Sequence, residues 1–110
     1  MLEIVKLTRY EHAPVLKFGP GFNAQQDASQ LAAWLQEFSR DKGRPPKRLA
    51  FTFHAADGNA DDICLFMKSC VSNPEVANVM SQASIDLTFV GSISDGVAQS
   101  TQQRILSQTF

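Results

Sequence analysis

Only two cysteines and two histidines occur among the 110 residues, so any site built from soft metal ligands has four side chains to draw on: His12, His54, Cys64 and Cys70. They include no close pair of the CxxC kind, which argues against zinc. Cys64 and Cys70 fall six positions apart on one expected helix. That is about 9 Å of rise, whereas disulfide Cα atoms lie within about 7 Å, so the thiols are expected to stay reduced and apolar. Cys64 sits in an apolar segment, a poor setting for a nucleophile using His54 as its base. His54 itself reads as a hydrogen-bonded residue at a strand end.

An excess of charge of either sign is missing too. Ten Lys and Arg against eleven Asp and Glu leave a net charge of −1, which supplies no field to draw the whole molecule to nucleic acid or anionic lipid. Apolar runs are a few residues long, far below the roughly 18 to 20 needed to cross a bilayer. The opening "MLEIVKLTRY" alternates apolar and polar residues and lacks the features of a signal peptide. The expectation is a cytoplasmic chain with no membrane contact. Six glycines and five prolines, with 44% hydrophobic and 19% charged residues, describe a folded globular protein. Residues 1–110 are expected to form a single α/β domain.

Periodicity supplies the elements. "LEIVKL" (2–7) and "VLKF" (15–18) read as two strands of a hairpin, joined by a polar loop containing Pro14. "FGPGFN" (18–23) is a turn, after which Asn23 caps a helix with Gln26 at the third helical position. Ala24, Ala28, Leu31, Leu35 and Phe38 form one stripe of that helix, with Trp34 beside it; Gly43 and Pro45-Pro46 end it. "RLAFTFH" (48–54) alternates Leu49, Phe51 and Phe53 against Ala50, Thr52 and His54, as a central strand does.

Residues 60–71 read as a helix with Ile63, Phe66, Met67 and Cys70 inward. "SNPE" restarts a second one through Pro74, with Val76, Val79 and Met80 inward. "IDLTFVG" (85–91) is a strand with Ile85, Leu87 and Phe89 on one face, and 95–106 a polar helix capped by Asp95. The helical connection between the last two strands predicts that they run parallel. The fold class is therefore α/β: a mixed sheet of about four strands packed by three to four helices, in the order β-β-α-β-α-α-β-α. "AFTFHAADG" and "DLTFVGSISDG" echo one another, each running from a Thr-Phe strand end to Asp-Gly.

Two stretches concentrate charge. "HAADGNADDIC" (54–64) puts His54, Asp57, Asp61 and Asp62 at the carboxyl end of a strand, the edge where open α/β sheets place ligand sites. Aspartates there also serve as helix caps, and that is the role expected of Asp57. "DGNAD" begins like an EF-hand loop, but Asp62 stands where glycine is required and Lys68 where glutamate is required. A looser magnesium site would draw on Asp57 or Asp61 together with Asp95. "GPGFNA" (19–24) matches a dinucleotide fingerprint locally, yet the next strand ends in His54 rather than an acidic residue, so no cofactor is implied.

The second stretch, "RDKGRPPKR" (40–48), gathers Arg40, Lys42, Arg44, Lys47 and Arg48 at the opposite edge. Cations finish a helix favourably, and they also suit docking onto an acidic protein surface. Without interleaved aromatic residues the stretch offers nothing for bases to stack on.

The element order resembles the layout of STAS-type regulatory domains related to anti-sigma-factor antagonists. Those domains open the helix after the central strand with an Asp-Ser-Ser-like phosphorylation segment. Here that place reads "DGNADD", with no serine, so the resemblance is one of layout and does not extend to phosphoswitching. The expectation is a non-catalytic cytoplasmic module that binds another protein as an adaptor, regulator or inhibitor, through the basic turn or the acidic edge; a homo-oligomer is compatible with it. The alternative is a small metal- or phosphate-dependent enzyme at the acidic edge.

Overall fold

The computed structural model describes residues 2–8, 11–17 and 22–109. Along them run β1 (Leu2–Lys6), β2 (Glu11–Lys17), α1 (Ala24–Lys42), β3 (Arg48–Ala56), a 3-10 turn (Asp57–Asn59), α2 (Ala60–Val71), α3 (Pro74–Gln82), β4 (Ser84–Ser92) and α4 (Asp95–Thr109). The expected order is present, folded as one sheet with strands in the sequence β1-β2-β3-β4. β1 and β2 are antiparallel, and β2, β3 and β4 run parallel to one another. No helix of the described residues is long and apolar enough to cross a membrane.

The two-residue period of β3 decides which side of the sheet is inside. Leu49, Phe51 and Phe53 are fully buried, while Ala50 and Thr52 are only partly covered and His54 is exposed. Against the apolar face pack Leu31 and Leu35 of α1, Ile63, Phe66, Met67 and Cys70 of α2, Val76 and Met80 of α3, and Ile105 of α4. Ile85, Leu87 and Phe89 join this core from β4 but stay partly accessible, because β4 is an edge strand. Phe38, expected in the same cluster, packs instead with His12 and Trp34 near the end of α1.

Helix boundaries follow local chemistry. Asn23 Oδ1 accepts the Gln26 N–H at 3.0 Å, and α1 stops where Gly43 turns left-handed at φ 71. Asn73 Oδ1 accepts from Glu75 N at 3.0 Å to start α3, with Pro74 in its first turn.

β2 departs from the sequence reading. It begins at Glu11 and carries Pro14 inside the strand, buried and opposite Ile4. The register with β3 runs through Glu11↔Arg48 and His12↔Leu49 and resumes at Val15↔Thr52, so the missing Pro14 donor falls in the gap of that ladder. Phe18 and the glycine turn at 19–21 lie outside the described residues.

The two echoing segments lie side by side, with Thr52↔Thr88 and Phe53↔Phe89 in register and the two rings stacked 5.5 Å apart. Where they end, Gly91 at φ 105 lets β4 approach β3. A Cβ there would lie 2.6 Å from the Ala55 carbonyl oxygen.

Candidate functional site

The parallel strands carry the acidic edge to one end of the sheet and the basic turn to the other. β3 spans the distance between them, from Arg48 to Ala56.

At the acidic end, the Ala56 N–H donates to Asn59 Oδ1 at 2.8 Å and folds the chain into the 3-10 turn. Asp57 was expected to cap α2; its Oδ1 instead accepts the backbone N–H of Ser94 at 2.6 Å. Ser94 is the true cap position of α4, because its carbonyl accepts the first helical bond from Ala98 N at 2.9 Å. Asp95, expected to be that cap, lies inside the first turn. The Asp57 carboxylate is thus a negative group at the start of a helix other than its own, where the helix dipole favours it.

Asp61 pairs with Arg104 of α4 at 3.0 Å. Both partners are exposed, and such a pair adds at most about 1 kcal/mol. Asp62 is half-buried in the first turn of α2, and His54 is exposed on the open face of the sheet. Among the described residues no three His, Cys, Asp or Glu side chains gather into a group that could hold a metal ion. Asp57, Asp61 and Asp95 share the edge without converging.

Both cysteines are buried and free. Burial pushes the Cys70 thiol up to about 12. For Cys64 burial also raises the value, with Asp61 adding to it and Arg104 opposing it. Neither is poised as a thiolate near neutral pH.

At the basic end, Arg40 and Lys42 occupy the last turn of α1, and both are exposed, as are Arg44 and Lys47 beyond Gly43. Pro46 is buried and anchors the turn. Arg48 is withdrawn from this group. Its Nε donates to Asp86 Oδ2 at 2.7 Å, its Nη2 contacts the same oxygen, and its Nη1 lies 3.5 Å from Glu11 Oε1. The hydrogen bond and charge of Asp86, with Glu11, hold the guanidinium above its ordinary range.

Two features here escaped the sequence reading. His12 is 5% exposed, its ring 4.8 Å from Trp34 and 5.0 Å from Phe38, and its Nδ1 has no hydrogen-bond partner. Desolvation, then the charges of Lys6 and Lys42, lower its pKa. The signal was available: with β2 started at Glu11, His12 falls on the same face as Leu16. The second feature is a groove of about 430 Å³ between α1 and α3, with Arg40 at its rim and Leu35, Val76 and Val79 in its lining. It arises from the packing of two helices that no local pattern relates.

The chain matches no protein-family model, and no curated protein or solved structure is significantly similar to it. The likeness to STAS-type domains therefore stops at the order of elements.

Proposed function

We propose that this chain is a non-catalytic protein-binding module of the cytoplasm, of the adaptor, regulator or inhibitor type, which meets an acidic surface of its partner with the basic end of α1. The observation that carries the reading is the unequal use of charge at the two ends. Asp57 and Asp61 are engaged by Ser94 and Arg104 of the same chain. Arg40 and Lys42 are held out by the last turn of a long helix.

A helix C-terminus tolerates cations well, so this end holds its charge at little cost to stability. The groove beside Arg40 offers an apolar floor for a side chain of the partner. Charged rims of this kind speed and orient encounter, while an apolar anchor holds the complex.

Affinity capture from the native host tests the reading, with wild-type chain and the Arg40→Glu/Lys42→Glu variant as parallel baits. A partner recovered by the first and lost by the second, at unchanged thermal stability, is the expected result. Equal recovery by both baits would remove the basic end from the interface.

A further inference from the structure

β4 is an edge of the sheet that the fold leaves open. Among the described residues it pairs only with β3, so every second backbone N–H and C=O along its nine residues points away from the sheet. The opposite edge, β1, is protected by being short and by carrying Glu3 and Lys6. β4 has neither device. "SIDLTFVGS" contains no lysine, arginine or proline, and its single charge, Asp86, is already held by Arg48. A groove of about 540 Å³ follows this edge, between Arg48, Ala50, Asp86 and Thr88 on one side and Gln102 and Leu106 of α4 on the other. Leu106 is 45% exposed, and the core-facing Leu87 and Phe89 are only partly covered.

We propose that β4 pairs antiparallel with β4 of a second copy of this chain, about a two-fold axis at Thr88, so that the two sheets become one. The strand is complementary to itself in that register. Thr88 meets Thr88, Leu87 faces Phe89 on the helix side, Asp86 faces Val90 on the open side, and Ile85 faces Gly91. Thr–Thr and aromatic–aliphatic pairs are favourable cross-strand neighbours. The two Asp86 carboxylates are offset from one another, each beside its own Arg48, so no like charges are directly opposed. An acidic or basic strand from another protein would find no unmatched charge to read along β4. The two half-covered apolar rows would instead be completed by each other, with Leu106 of each α4 drawn toward the seam. This pairing is independent of the basic end, since Arg40 and Lys42 lie on α1, which packs mainly on α2 and not on β4.

Sedimentation velocity on the full chain tests it. The wild-type protein should sediment at twice the 12.1 kDa chain mass in the micromolar range. Thr88 is exposed in the single chain, so Thr88→Lys should leave the circular dichroism spectrum unchanged, and its unfolding midpoint should fall to that of the wild type diluted below dimerisation and no further. It would set two ammonium groups against each other at the axis, and should return the protein to 12.1 kDa. Opposed Cα atoms in an antiparallel pair lie about 4.5 to 5.5 Å apart, within disulfide reach, so Thr88→Cys should cross-link on mild oxidation while Val5→Cys, on the far edge, should not. The native thiols are buried and do not compete. A wild-type chain that stays monomeric would overturn the proposal, and so would a Thr88→Lys dimer. Loss of the dimer in Val5→Lys would move the seam to the β1 edge and overturn it equally.

Discussion

The Asp57 carboxylate and the Ser94 backbone N–H meet at 2.6 Å across 37 positions of sequence, fastening the turn after β3 to the entry of α4. A residue that reads locally as a cap for the next helix is thus a fastener between the crossover that leaves β3 and the helix that follows β4.

Replacing Asp57 separates acceptor from charge. Asp57→Asn keeps an oxygen for the Ser94 N–H and should be nearly neutral. Asp57→Ala loses both the bond and the favourable charge at the start of α4, and should cost about 1 kcal/mol in urea unfolding. Equal losses in the two variants would mean that charge alone matters there.

Phe53 is fully buried at the centre of the sheet, its ring 6.0 Å from Phe51, 6.3 Å from Phe66 and 5.5 Å from Phe89. Truncation removes a contact shared by two strands and α2. Phe53→Ala should therefore destabilise the fold by about 3 to 5 kcal/mol. Near-wild-type stability on denaturant titration would contradict the assignment of β3 as the central core strand.

His12 predicts how stability depends on pH. Its folded pKa lies below the 6.5 of the free side chain, through desolvation and then through Lys6 and Lys42. Below about 6.5 the unfolded chain therefore takes up a proton that the folded chain resists, and stability falls as pH falls through that range. Above it the contribution is complete. His12→Phe, which keeps an aromatic ring between Trp34 and Phe38, should flatten this part of the profile; an unchanged slope would assign the pH dependence to other groups.

How much of this was legible in the sequence depended on the range of the interaction. α1 was readable because Asn23, the Leu31–Leu35–Phe38 spacing and Gly43 are all local signals, and β3 because Phe51 and Phe53 keep a strict two-residue period. β2 was read too short. Pro14 signals a loop unless one knows that its missing donor falls in a gap of the β2–β3 ladder. The place of Asp57 just past the end of β3 is legible, since a strand end is a local feature. The use made of Asp57 was not legible, because Ser94 and α4 reach it only through the parallel pairing of β3 with β4. Helical spacing places Phe38 in the main core, but the end of α1 overhangs β2, where His12 meets the rings of Trp34 and Phe38.

The proposed interface is the basic end of α1 and not the acidic edge. Its most direct test is the affinity of the captured partner for three chains, the wild type, Arg40→Gln/Lys42→Gln and Asp57→Asn, each with its unfolding free energy measured alongside. Affinity is expected to fall in the Arg40/Lys42 variant and to weaken more steeply with added salt for the wild type than for that variant, while Asp57→Asn binds as the wild type does and all three are similarly stable. Lost affinity in Asp57→Asn at unchanged stability, with the Arg40/Lys42 variant binding normally, would contradict it and place the interface at the strand-end carboxylates.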